Sequence, residues 1–404
     1  MKFRNIILVF AVIGTTLISC TKEYTEPVET CSFSEETGTA MNPYSDLYNQ
    51  VLDEYVRLGM PGISVAIETP DQGWWVGCAG MASIEEHIPM KPCHLHHSAS
   101  QLKTYIATLV MRLVEDGAIG LDEPFGNYLT PEIANRIANA DTATIRQLLG
   151  HTSGLINFGL PHIVDLVNDP EIFKSTDDLF ERHVYDQPAI ADPGEEFLYS
   201  NIGYCLLGII IENASEMGLG AYFDQEITNP LGLVNTFYKA DPGYPDQIPN
   251  TVSGYGELFT GELQNFSDLE MNMAKVNTGS MGLIVTPYEL ALFFRELMQG
   301  NILDSVSLAT MLEEEHMLIE GVYCGMGIER ISASELGGVY GDLGDGYGHG
   351  GQGPATIGRT FYFPDTEITI SLQVNLAADM PSDNIRRFDP LIEDLLSVAY
   401  SGKR

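Results

Sequence analysis

Ser100-Gln101-Leu102-Lys103-Thr104-Tyr105-Ile106-Ala107-Thr108-Leu109-Val110-Met111-Arg112-Leu113 is the stretch on which the reading of this 404-residue chain turns. Leu102, Ile106, Leu109 and Leu113 recur at intervals of three and four, the spacing of a buried helix face. The spacing predicts a helix from about Ser100 to Asp116, with Gly117 placed to cap its C-terminus. Residues three apart share a face, so the Lys103 amine can reach the Ser100 hydroxyl. A serine hydroxyl is a poor nucleophile until a base takes its proton. Ser100 also sits in the first helical turn, where free N–H groups favour developing negative charge. The same S-x-x-K spacing recurs at Ser19-Cys20-Thr21-Lys22, so the tetrapeptide alone decides nothing.

On the N-terminal side, Leu47, Val51, Tyr55 and Val56 keep helical spacing, and Pro61 is expected to stop that helix. Two strands follow, Gly62 to Glu68 and Trp74 to Ala79, joined by the turn Pro70-Asp71-Gln72-Gly73. Beyond the central helix, to about residue 275, helices alternate with Pro- and Gly-rich loops. Helical periodicity returns from Pro287 to Met298. Strand patterns then cover Tyr323 to Ile331, Thr356 to Phe363 and Thr366 to Asn375, and residues 384 to 399 close with a helix. Strands at both ends and helices between predict an α/β (α+β) architecture. Its antiparallel sheet is built from both ends of the chain and flanked by the terminal helices, with an all-helical domain inserted. The expected division is 43–97 with 277–400 for the sheet part and 98–276 for the helical part.

Two more motifs carry chemistry. Tyr199-Ser200-Asn201 is the only Y-x-N in the chain. A lysine ammonium beside Tyr199 would lower its phenol pKa towards a working base, and Asn201 offers an acceptor to a lysine and a donor to a substrate amide. His349-Gly350-Gly351 is the only H-x-G, within Tyr347-Gly348-His349-Gly350-Gly351-Gln352-Gly353-Pro354. Consecutive glycines let a strand backbone approach a ligand closely, as an oxyanion hole requires. No GxxxxGK is present, so these glycines do not make a phosphate loop.

The order and spacing of Ser100/Lys103, Tyr199/Asn201 and His349/Gly351 resemble the class C β-lactamase-like family, which includes DD-carboxypeptidases, family VIII-type esterases and D-amino-acid amidases. Gln147-Leu148-Leu149-Gly150-His151-Thr152-Ser153-Gly154-Leu155 is similar to the family's LLxHTSGL. Asn229-Pro230-Leu231-Gly232-Leu233 with Thr236-Phe237-Tyr238 resembles its PLGL segment, and Gly279-Ser280-Met281-Gly282-Leu283-Ile284-Val285-Thr286-Pro287 its AGGLxST. The resemblance runs from about residue 43 to 400 and implies the β-lactamase/transpeptidase-like fold. It implies Ser100 as the acylated nucleophile, Lys103 as its base partner and Tyr199 as the proton shuttle. Asn201 would orient substrate, His349 would line the opposite wall, and Gly351 would let the strand close in. The N–H groups of Ser100 and Gln352 would form the oxyanion hole. His151 is expected to be structural. The implied substrate is a small molecule or peptide: a D-amino-acid peptide, an ester or a β-lactam. No cofactor and no metal are implied.

Three departures stand out. His96-His97-Ser98-Ala99 replaces an FRIAS-like run, and Leu102 replaces a common threonine. Glu329, in Gly325-Met326-Gly327-Ile328-Glu329, stands where a carboxypeptidase of this type has an arginine that binds the substrate carboxylate. A negative side chain there repels a carboxylate. With His349 in place of a lysine, this favours a peptidase, amidase or esterase over an efficient β-lactamase.

Composition limits the alternatives. A formal net charge of −36 repels nucleic acid and anionic lipid headgroups. Lys2, Arg4 and the apolar run Ile6 to Ile18 suit a signal peptide and are too short to span a bilayer. Leu17-Ile18-Ser19-Cys20 resembles a bacterial lipobox, which would make Cys20 the lipid attachment site, residues 1–20 a lipoprotein signal and 21–42 a disordered tether. An ordinary secretory signal is the alternative. The expectation is an exported lipoprotein of the cell envelope that touches a membrane through its lipid alone. Cys78 with Cys93 is a sensible local disulfide pair for an exported chain. Cys93-His94-Leu95-His96-His97 admits a zinc-hydrolase alternative, with His94 and His96 on one strand face, and a non-catalytic peptidoglycan- or β-lactam-binding lipoprotein is a further one.

Overall fold

The computed structural model of the protein describes residues 42–158, 160–238, 248–257, 262–313, 316–377 and 386–401. The expected signal segment, Cys20 and all of the tether but Asn42 lie outside these residues. In chain order the strands are β1 (Gly62–Thr69), β2 (Gly73–Ser83), β3 (Ile88–Pro89), β4 (His96–His97), β5 (Thr236–Tyr238), β6 (Tyr255–Gly256), β7 (Gln264–Asn265), β8 (Leu283–Val285), β9 (His316–Ile319), β10 (Val322–Cys324), β11 (Glu329–Ile331), β12 (Gly346–Gln352), β13 (Ile357–Phe363), β14 (Ile368–Val374) and β15 (Leu376–Ala377). Nine of them form one antiparallel sheet in the order β3-β2-β1-β14-β13-β12-β11-β10-β9. The two ends of the chain meet at its centre, where Ile63 pairs with Val374 and Ile67 with Ile370.

Alternation along these strands sets the layers. Ile63, Val65, Ile67, Ile370 and Leu372 face the helices Ser45–Arg57 and Phe388–Ser401 and pack with Tyr48, Leu52, Leu391 and Leu395. The first helix ends at Arg57, before Pro61, because the Leu58 and Gly59 N–H groups close the last turn on Glu54 and Val56. On the sheet's other face, the helix Pro287–Met298 covers Ala66 and Val76. A second and larger core surrounds the helix Leu102–Glu115, buried along most of its length.

Three features differ from the sequence expectation. The span Tyr323 to Ile331 is two strands, β10 and β11, folded back at Gly325-Met326-Gly327, and β9 adds an edge strand before them. The turn exists because Gly327, at φ +74°, approaches the central helix so closely that a Cβ there would lie 2.4 Å from that of Ala107. The segment between the two halves of the sheet is mostly helical but also carries β5, β6 and β7, which join small three-stranded sheets. Finally, the Cys78–Cys93 pair does not form. Cys78 is free, its thiol directed to the Met90 carbonyl at 3.4 Å, whereas Cys93 is disulfide-bonded.

One small sheet positions Ser100. β4 pairs with β8 and β8 with β5, and Ser98 N–H donates to the Leu283 carbonyl at 3.0 Å just before Ser100. Glu289 pins this sheet. Buried in the first turn of Pro287–Met298, it accepts from the backbone N–H groups of Val234 and Asn235 at 3.0 and 2.8 Å and from Thr236 Oγ1 at 2.7 Å. Removing a buried acceptor strands several donors, each costing about 1–3 kcal/mol. Glu289→Ala is therefore expected to lower unfolding stability by about 3 kcal/mol in urea titrations; a loss under about 1 kcal/mol would show that other contacts hold the turn.

Candidate active site

Ser100 lies in the 3₁₀ turn Ala99–Gln101 that opens the central helix. Ala99, directly before it, has φ +48°, a left-handed conformation that an L-residue adopts at a cost of roughly 1–2 kcal/mol. Gln101 ties this turn to the sheet: its Oε1 accepts from Thr360 Oγ1 at 2.7 Å, and its Nε2 donates to the Ser98 carbonyl at 3.2 Å and Gln373 Oε1 at 3.3 Å.

Lys103, one turn on, is fully buried. Its Nζ donates to Ser100 Oγ at 3.1 Å, Asn201 Oδ1 at 2.8 Å and the Ser280 carbonyl at 3.2 Å. The amine also faces the rings of Tyr199 and Tyr204 at 5.1 and 5.5 Å. Desolvation disfavours the ammonium and brings its pKa down to about 7, so at neutral pH much of Lys103 is a free amine. Three motifs far apart in sequence thus meet at one nitrogen.

Tyr199 is half-buried and hydrogen-bonded to Ser100. Its phenol departs from expectation. Burial raises its pKa well above the ordinary value, and the hydrogen bond to Ser100 opposes this without prevailing. The expected depression needs a charged lysine beside it, and Lys103 is itself pushed towards the neutral form. At neutral pH the Lys103 amine can therefore accept a proton, while the Tyr199 phenol keeps its own. Tyr199 is held by His151, whose ring stacks on it at 4.3 Å while Nδ1 accepts from Ser200 N–H at 3.1 Å. Desolvation holds His151 well below its usual pKa, so it is neutral and positions rather than titrates.

Opposite the serine, Gly350, Gly351 and Gln352 of β12 line a cavity of about 290 Å³ together with Ser100, Tyr199 and Glu329. His349 does not line that wall. Its ring is buried, with Nδ1 on the Gly350 carbonyl and 3.4 Å from Glu329 Oε1. At Gly351 a Cβ would sit 2.2 Å from the Ser98 carbonyl, so only glycine lets the strand close on the Ser100 turn.

Three participants escaped the sequence reading. Asn157, just past the H-T-S-G turn, accepts from Asn201 N–H at 3.1 Å and donates to the Tyr199 carbonyl at 3.3 Å. Ser280 serves Lys103 through its backbone. Glu270, buried and with a pKa raised by desolvation to about 8, accepts from Ala355 N–H at 2.9 Å and braces the loop beyond Gln352. The histidines of 94–97 are absorbed by packing. His94 Nδ1 accepts from Lys91 N–H at 3.0 Å, and His96 lies 3.0 Å from Ser64 Oγ, neutral with its pKa lowered by burial to about 3. Only His96 and His97 lie in a strand, so His94 and His96 do not share a strand face. Among the described residues no three His, Cys, Asp or Glu side chains group as a metal site needs.

An S-x-x-K pair with its lysine buried, a tyrosine on the serine and a glycine strand closing the cleft define a class. The profile of the Beta-lactamase family matches residues 48–391, and the chain belongs to that family; as a class it is a serine hydrolase. Esterase EstB of Burkholderia gladioli is 33% identical over 172 residues, covering 40% of this chain and 43% of the esterase. Protein flp of Staphylococcus aureus (strain COL) is 25% identical over 182 residues, 45% of this chain and 35% of that protein. The aligned stretches thus span less than half the length of both relatives. D-amino acid amidase from Ochrobactrum anthropi SV3, in a crystal structure with L-phenylalanine amide, superposes with a TM-score of 0.73 over 89% of this chain and 99% of the amidase. At 23% identity that likeness concerns the fold.

A base near pKa 7 has a kinetic signature. The kcat/KM of Ser100-dependent turnover is expected to rise as pH increases through about 7, when Lys103 loses its proton. Lys103→Met should remove that limb and lower kcat/KM by about 10³-fold or more. A rising limb near pH 10 instead would make Tyr199 the base.

Proposed function

We propose that the protein hydrolyses amides or esters through an acyl-enzyme on Ser100, as a D-amino-acid amidase- or esterase-like member of its family. The observation that carries this is the Lys103 amine, desolvated and 3.1 Å from Ser100 Oγ. Ser100 Oγ adds to the substrate carbonyl as its proton passes to Lys103. The carbonyl oxygen, now negative, is received by the N–H groups of Ser100 and Gln352. The carbon–leaving-group bond breaks as Tyr199 delivers a proton to the departing nitrogen or oxygen. Water, deprotonated along the same route, then releases the acyl group and restores Ser100. Asn201 keeps Lys103 oriented.

Within the family's range, Glu329 in the cavity favours an amidase or esterase over a D-alanyl-D-alanine carboxypeptidase, because a substrate carboxylate would meet a carboxylate. Intact mass spectrometry of residues 21–404 after incubation with an activated ester and with benzylpenicillin tests the chemistry. An acyl adduct present in the native chain and lost in Ser100→Ala is expected with the ester. If both proteins remain unmodified and turn over neither reagent, the protein is a binding member of the family. Rapid Ser100-dependent penicillin hydrolysis would make it a β-lactamase.

The site is proposed to work on an exported lipoprotein of the cell envelope, tethered through Cys20. The basic, apolar and Leu17-Ile18-Ser19-Cys20 segments support this. Bacteria expressing the full chain with a labelled fatty acid should label the native protein and not Cys20→Ser; equal labelling of both would exclude Cys20 as the anchor.

A further inference from the structure

The buried charge that the mechanism leaves unused is Glu329. Strand β11 starts at this residue, directly after the Gly325–Gly327 turn docks on the central helix, where Thr104 Oγ1 donates to the Gly327 carbonyl at 2.7 Å. The docking fixes the carboxylate in the same cavity as Ser100 and Tyr199. Oε2 accepts from Gly350 N–H at 2.8 Å, and Oε1 lies 3.4 Å from His349 Nδ1. Glu329 is only 7% exposed. His349 is no counter-charge, because burial lowers its pKa and it stays neutral near pH 7. Among the described residues no lysine or arginine forms an ion pair with Glu329; Lys103 feels its charge but gives its hydrogen bonds to Ser100, Asn201 and Ser280. The cation along the cavity wall, Arg359, turns its guanidinium to Asp389 and to the Phe388 ring at 5.6 Å.

A carboxylate held out of bulk water with one backbone donor and no cation in bonding contact is an unbalanced arrangement. It is balanced when a cation enters. We infer that Glu329 is the subsite for a protonated amine on the substrate, so that the enzyme selects amides or esters carrying a free ammonium group close to the scissile carbonyl. Geometry sets the distance. Gly350, which holds Glu329, and Gln352, which faces the reacting carbonyl, are two residues apart on one strand, about 7 Å. That spans roughly one amino-acid unit. The remaining walls, Leu318, Ile319, Val322, Ile331, Ile357 and Phe361, are apolar, so the ammonium is carried on an apolar body. The family resemblance puts an arginine for a substrate carboxylate at this position, so the polarity of recognition is reversed. A surface of formal charge −36 also draws cations towards the cleft. This inference rests on the proposed acyl-enzyme chemistry only for its catalytic readout.

Two readouts test it. For turnover, alanine p-nitroanilide (both enantiomers), its N-acetyl derivative and its N-succinyl derivative are compared at pH 7, where the free α-amine is largely protonated. The native enzyme is expected to prefer the cationic compound over the acetylated one at least tenfold in kcat/KM. In Glu329→Gln that ratio should fall to within threefold of one, and Glu329→Arg should move preference to the succinyl compound. Ratios within each protein are insensitive to partial loss of folded enzyme. For binding, alaninamide and N-acetylalaninamide are titrated calorimetrically into Ser100→Ala, with at least tenfold tighter binding expected for the free amine. If none of the anilides turns over, the acyl-enzyme reading fails and the binding ratio alone decides the subsite. Equal binding of the two amides, or a turnover preference that survives Glu329→Gln, overturns the inference.

Discussion

A single amine withheld from water organises this protein. Lys103 has no exposed surface, and its three hydrogen-bond partners come from its own helix, from the start of helix Asn201–Ser215 and from the Gly279–Gly282 turn. An ammonium in that position is disfavoured by desolvation, and the surroundings supply oxygens but no full anion within bonding distance. The outcome is an amine poised to take a proton near neutrality. Any loosening that let water reach Nζ would restore its ordinary basicity and with it the ammonium that cannot act as a base.

Keeping water out demands that the helix be enclosed on all sides. The larger hydrophobic core closes around one part of it, the Gly325–Gly327 turn covers another, and the Ser98–Gln101 turn is strapped to the sheet through Thr360 and Gln373. Close approach is obtained twice by glycine, at Gly327 against Ala107 and at Gly351 against Ser98. The positive φ at Ala99 belongs to the same compression, since the backbone must turn abruptly between β4 and the helix.

The features legible in the sequence are those with a period or a motif. The central helix, the β1–β2 hairpin and the helix Pro287–Met298 follow from apolar spacing and turn residues, and Ser100, Lys103, Tyr199 and Asn201 follow from their order. Illegible were features set by tertiary contact. Strand β9 alternates weakly and gains its place by pairing with β10. Asn157 lies outside the quoted motifs, and Ser280 acts through its backbone carbonyl, which no side-chain pattern records. The burial of His349 depends on what packs over β12, and the basicity of the Tyr199 phenol on its desolvation. Cys78 and Cys93 are close in sequence, yet nearness in sequence does not align two Cβ vectors.

The pairing of Ile63 with Val374 has a consequence in time. The central rung of the sheet joins residues from nearly opposite ends of the chain, and the strand that faces Ser100 is itself among the last to be made. Such non-local pairing folds slowly, because loop closure must precede the contacts that reward it. A growing chain can assemble helices around Lys103 early but has no cleft until β12 to β14 arrive. The cleft is therefore unfinished until the end of synthesis, and a chain cut short before β12 lacks the wall that faces Ser100.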